Sequence, residues 1–322
     1  MANPQTMELL YVDQKSSQFC KLPGELRDQI YKYLFSSTRL AFGECHTETM
    51  EMKSAHYSLA ILQTCRQIYN ETRSMWLREV LFSFEGPEDL LDKLSTQPST
   101  VVSQIRHIRV RGGTLQLRLT DDGVSFWFGL SESLKLLPQL RLDTLTVLAT
   151  AYEEYACDTL NHLIQQGHGW KELHYIASDS KMLAFSKLNS NRRKPQSSNW
   201  QQILVDRDGP QSGAQVKMYR AKSNSPGSLN IASLHELFEE TIPDGSHEDE
   251  VGVHHYEVRL SEADTPKEVL VVAKRGRNAD ITLKGQPPFD PLDIRSYGMT
   301  WEDIGQYCVE SPFLGAAKSP QK

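Results

Sequence analysis

Two stretches in the middle of the chain, LLPQLRLDTLTVLA (136–149) and IQQGHGWKELHYIA (164–177), each lead a helix end through a short turn into a strand centred on leucine. They lie about 28 residues apart, and a repeat of that period decides an architecture before any single element does. The pattern points either to β–α units of leucine-rich-repeat type or to an ordinary mixed α/β layer. The flanking segments alternate in the same way. Ile105–Arg111 reads as a strand with Ile108 and Val110 on one face and Arg109 and Arg111 on the other. Leu115, Leu117 and Leu119 face one way, as do Val124, Phe126 and Phe128, and Asp121-Asp122-Gly123 between them is a tight-turn signal for a hairpin. Pro87 opens a short helix to about residue 94, and Ser131–Leu137 is helical up to Pro138. Tyr152–Gln166 carries a stripe of Tyr155, Thr159, Leu160, Leu163 and Ile164, with Gly167 as its stop.

The N-terminal region follows the helical period instead. Pro23 suits a first helical turn, where its missing N–H costs nothing, and Glu25 suits the positive end of the helix. Leu26, Ile30, Tyr33 and Leu34 then form one stripe through about Phe35. Residues 36–56 are polar and poorly periodic, a loop or weak hairpin. A longer helix is expected over Ser58–Arg78, with Leu59, Leu62, Cys65, Ile68, Tyr69, Thr72, Met75 and Trp76 packing against the first. Val80–Phe84 turns to a short strand.

Beyond residue 177 the pattern thins. Residues 200–206 and 214–220 read as a hairpin across Asp208-Gly209-Pro210. Residues 234–240 read as a short acidic helix, 256–260 and 268–273 as strands, and a last helix starts at Thr300. The expected organisation is a lead-in at 1–18, a helical unit at 19–84, a mixed α/β region at 85–222, an acidic linker at 223–258 and C-terminal strands with a short helix at 259–322. The class is mixed α/β, or α+β.

Charge separates these parts. The chain of 322 residues carries a net charge of −6, and 39% of it is hydrophobic, enough for a packed core. The acidity sits in residues 223–258, where Glu236, Glu239, Glu240, Asp244, Glu248, Asp249, Glu250 and Glu257 meet no lysine or arginine. A globally basic nucleic-acid binder is excluded. Cys20, Cys45, Cys65, Cys157 and Cys308 are scattered without C-x-x-C spacing, which reads as free thiols in a reducing compartment. With no signal-peptide pattern and no apolar run of membrane-spanning length, the expectation is cytoplasmic, nuclear or both.

No phosphate-binding loop, nucleophile elbow, dinucleotide fingerprint or H-E-x-x-H is present. His254-His255 near Glu248–Glu250, and Cys45-His46 between Glu44 and Glu48, are isolated for metal binding. Adjacent histidines on a strand point to opposite faces, so only one could join a given site. Arg106, Arg109, Arg111 and Arg118, Lys274-Arg275-Gly276-Arg277, and Arg192-Arg193-Lys194 are short basic clusters that read as solvated strand faces or loops. No catalytic residue, metal or cofactor is assigned.

Leu22-Pro23-Gly24-Glu25-Leu26-Arg27-Asp28-Gln29-Ile30-Tyr31, followed by LAILQTCRQIYNETRSMWLREVLFSF (59–84), resembles the F-box-like domain found at the N-terminus of many proteins of filamentous fungi. The pattern is LPxELRxxIY, then TCRQIxxE, then F-x-F. The likeness covers about a fifth of the chain. It departs from ordinary F-boxes in the long connection at 36–58 and in Gln67-Ile68, where an aromatic usually follows the Cys-Arg pair. The resemblance implies a substrate-recruiting subunit of a cullin–RING ubiquitin ligase that docks a Skp-type adaptor and recruits a protein substrate. The positions it implies for adaptor contact are Leu22, Pro23, Leu26, Ile30 and Tyr31, with Cys65 and Arg66. Two other readings stand beside it: a helical hairpin that only caps the α/β layer, and an enzyme or metal-binding protein using scattered His, Cys and acidic side chains.

Overall fold

The computed structural model describes residues 17–43, 58–118, 125–150, 153–183, 197–224, 235–237, 266–283, 285, 293–297 and 300–308. The protein is mixed α+β, built on a large, mostly parallel sheet.

Among the described residues ten strands run β1 (Arg39–Phe42), β2 (Leu81–Phe84), β3 (His107–Arg111), β4 (Leu115–Leu117), β5 (Phe126–Phe128), β6 (Leu142–Leu148), β7 (Trp170–Ala177), β8 (Gln215–Ala221), β9 (His235–Leu237) and β10 (Val269–Lys274). Eight form one sheet in the order β1-β2-β3-β6-β7-β10-β8-β9, and β4 and β5 form a separate antiparallel hairpin, as expected from the sequence. From β1 to β7 all neighbours in the sheet are parallel and follow chain order. From β7 onward the pairings are antiparallel, with β10 inserted between β7 and β8. The sheet therefore takes strands from both sides of the boundaries expected near residues 84, 222 and 258.

The parallel strands share one inward pattern. Ile105, Ile108 and Val110, then Leu142, Leu145 and Val147, then Trp170, Leu173 and Tyr175, are all buried, at the same spacing of three and then two. The alternate residues stay half-exposed: Arg109 and Arg111 on β3, Thr146 and Leu148 on β6, His174 and Ile176 on β7. One face is thus the core and the other meets solvent. Chain-ordered parallel strands need crossovers, and right-handed crossovers put their helices on one side of a sheet. Accordingly α4 (Pro87–Ser95), α6 (Leu130–Ser133), α7 (Glu153–Gln166) and α8 (Ser197–Asp208) touch in succession, and α4 also packs on β1, β2 and β3. A short α5 (Ser99–Val102) leads into β3.

Three expectations are corrected. The long helix at 58–78 is broken into a 3-10 turn (Ser58–Gln63), α2 (Arg66–Thr72) and α3 (Trp76–Glu79). Its break falls at Cys65, whose extended backbone and sulfur cap α2 by accepting from Ile68 N–H at 3.5 Å. Residues 200–206 belong to helix α8 rather than a strand. Trp200 and Leu204, one helical turn apart, are both buried, and the Trp200 indole N–H donates to Asn161 at 2.7 Å. The acidic helix at 234–240 is replaced over 235–237 by the edge strand β9, paired with β8. The strand expected at 256–260 lies outside the described residues. The last helix, α9 (Trp301–Ile304), starts at Thr300 as expected, with Asp303 completing a capping box. The Trp301 indole N–H donates to Asp92 of α4 at 2.6 Å, tying the two helices together.

Candidate functional site

The first motif is helix α1 (Gly24–Ser36), and its two sides do different work. Tyr31 and Phe35 are fully buried, while Leu26 is 45% exposed, Ile30 42% and Tyr33 77%. The inward side is held by one carboxylate of the second motif. Glu71 accepts from Arg27 Nε at 3.0 Å and Nη2 at 2.6 Å, from the Tyr31 hydroxyl at 2.8 Å and from Gln67 Nε2 at 3.0 Å. A bidentate guanidinium–carboxylate pair fixes orientation as well as distance. Arg27 Nη1 also donates to the Leu22 carbonyl, closing the chain onto the start of the helix. The Phe19 ring meets Tyr31 edge-on at 5.7 Å.

The electrostatics follow from that geometry. The hydrogen bond from Arg27 is the largest effect on Glu71; with those from Gln67 and Tyr31 it outweighs the opposing burial and holds the carboxyl down to about 2. Burial, then the contact with Glu71, pushes the Tyr31 phenol well above its ordinary value. The Arg, Tyr, Gln and Glu of LPxELRxxIY and TCRQIxxE thus recognise one another inside the molecule.

The residues that the resemblance assigns to adaptor contact divide accordingly. Pro23, Leu26, Ile30 and Arg66 are exposed, and Leu22 is half-buried. Tyr31 is corrected: it lies in the core with its hydroxyl given to Glu71, so it supports the edge from behind. Cys65 is half-buried and caps α2. The expected apolar stripe of Leu26, Ile30, Tyr33 and Leu34 is divided: Leu34 packs against the core, while Leu26, Ile30 and Tyr33 are turned outward, and Tyr69 of α2 is also 50% exposed. Sequence reasoning passed over Tyr33 and Tyr69 as surface residues and Glu71 as the hub.

The second surface is the solvent side of the sheet. Strand register sets Arg109, Thr146, His174, Val272 and Lys217 in one row across β3, β6, β7, β10 and β8. Glu172 accepts at 2.7 Å from His174 and lies 3.2 Å from Lys274 Nζ; these contacts outweigh the opposing effect of burial, so its carboxyl sits below the ordinary range. Arg111 reaches Glu85 at 3.4 Å.

The remaining basic residues separate by burial. Arg106 is turned onto the carbonyls of Ser103, Ile105 and Arg141 and serves the fold. Arg275, expected on a solvated loop, is instead buried in a bidentate pair with Asp208. Arg192-Arg193-Lys194, Cys45-His46 and His254-His255 lie outside the described residues. Among the described residues no group of three or more His, Cys, Asp or Glu is placed to hold a metal ion, and no helix is long and apolar enough to cross a membrane.

No family model matches this chain, and no curated protein or solved structure matches it.

Proposed function

We propose that the protein is a recruiting subunit of a ubiquitin ligase, docking a Skp-type adaptor through α1 and holding a protein substrate on its sheet. One observation carries this reading: Pro23, Leu26 and Ile30 stand exposed on the outward side of a helix whose other side is locked by Glu71. Large aliphatic side chains left in water on a rigid helix mark an interaction edge, and such an edge suits a groove on a helical partner. Pro23, Leu26 and Ile30 are three of the seven positions that the F-box-like resemblance implies for adaptor contact; of the others, Leu22 is half-buried, Arg66 is exposed on α2, Cys65 caps α2 and Tyr31 lies in the core.

The sheet supports the other half of the reading. Its buried spacing, Ile105/Ile108/Val110, Leu142/Leu145/Val147 and Trp170/Leu173/Tyr175, is that of leucine-rich repeats, whose strands line a binding surface. The asparagine typical of such repeats is replaced here by Gly113, Thr150 and Ser178.

The test is co-purification with a Skp-type adaptor. Wild type is expected to retain it, and Leu26→Asp/Ile30→Asp to lose it with an unchanged thermal midpoint. Absence of association with wild type, or equal association of the variant, refutes the adaptor reading and leaves the hairpin as a cap on the sheet.

A further inference from the structure

We draw no further inference here: the strongest candidate, the half-exposed apolar stripe of Leu148, Ile176, Leu270 and Leu237 across the solvent face of the sheet, carries nothing, because Arg111 and Lys274 on that face are already paired with Glu85 and Glu172 and nothing in the structure shows what covers it.

Discussion

Asp208→Ala should be among the most damaging single substitutions outside the apolar core. Asp208 ends α8, and its side chain is 1% exposed; that of Arg275, just past β10, is 3% exposed. Arg275 Nε donates at 2.8 and 2.7 Å to the two carboxylate oxygens, Nη2 donates at 2.5 Å, and Gly276 N–H donates at 3.1 Å. The guanidinium lies 5.5 Å over the Trp170 ring. Removing the carboxylate strands a buried cation, and breaking one side of such a pair costs about 3–5 kcal/mol. Against a total stability of about 5–15 kcal/mol, that is a large fraction. Replacing both partners by apolar groups removes the stranded charge, so Asp208→Leu/Arg275→Met should recover most of the loss. The assay is urea unfolding followed by tryptophan fluorescence, comparing both variants with wild type. A cost below about 1 kcal/mol, or a double variant less stable than the single one, would refute the assignment of this pair as an interdependent buried unit.

Other predictions follow from single contacts. Tyr31→Phe removes a hydroxyl hydrogen-bonded to Glu71 and should lower stability by about 1–2 kcal/mol in the same assay, whereas Tyr33→Ser on the exposed side should change it by less than about 0.5 kcal/mol. His168 is held down to about 4, chiefly by burial and then by Arg207. Its unfolded form binds a proton below about 6.5, so stability is full above that pH and falls as pH drops toward 4. The difference in thermal midpoint between pH 7 and pH 5 should therefore shrink in His168→Gln. Gly169 has φ +81° and an added Cβ would meet the Leu140 carbonyl at 3.3 Å. Gly169→Ala should thus cost about 1–2 kcal/mol, read as a lower urea midpoint.

How far the fold was legible depends on whether local pattern and tertiary contact agree. On β3, β6 and β7 they agree. Alternation marked Ile108 and Val110 as inward, and they are; the Leu-centred strands 28 residues apart pair directly, Leu145 against Leu173. On α8 they disagree: Trp200, Ile203, Leu204 and Val205 favour a strand by composition, but burial of Trp200 and Leu204 selects the helix. β9 errs the other way, because Leu234–Glu240 is rich in helix formers while an open sheet edge beside Tyr219–Ala221 offers backbone partners. β1, with only Arg39–Phe42, was hidden in a polar stretch and gains its place from pairing with β2 and from Phe42 stacking on Phe84 at 5.1 Å.

The exposed edge of α1 was legible as a set of residues, while its direction was left open between adaptor contact and packing against the α/β layer. Periodicity groups Leu26, Ile30, Tyr33 and Leu34 on one side of α1, and an apolar stripe is ordinarily the buried one, yet only Leu34 packs against the core. Here the rotation of the helix is set by a polar contact, since Arg27 and Tyr31 must both reach Glu71, and this carries Tyr31 and Phe35 inward and the aliphatic stripe outward. The motif residues therefore separate into a folding set, Arg27, Tyr31, Gln67, Ile68 and Glu71, and a surface set, Pro23, Leu26 and Ile30. A mutational scan of residues 22–84 with two readouts, cellular abundance and adaptor capture, should divide them along the same line. Polar substitutions in the folding set should lower both signals, and those in the surface set should lower capture alone. If substitutions at Leu26 and Ile30 lower abundance as strongly as those at Tyr31, the aliphatic side of α1 belongs to the core, and the proposed adaptor contact falls with it.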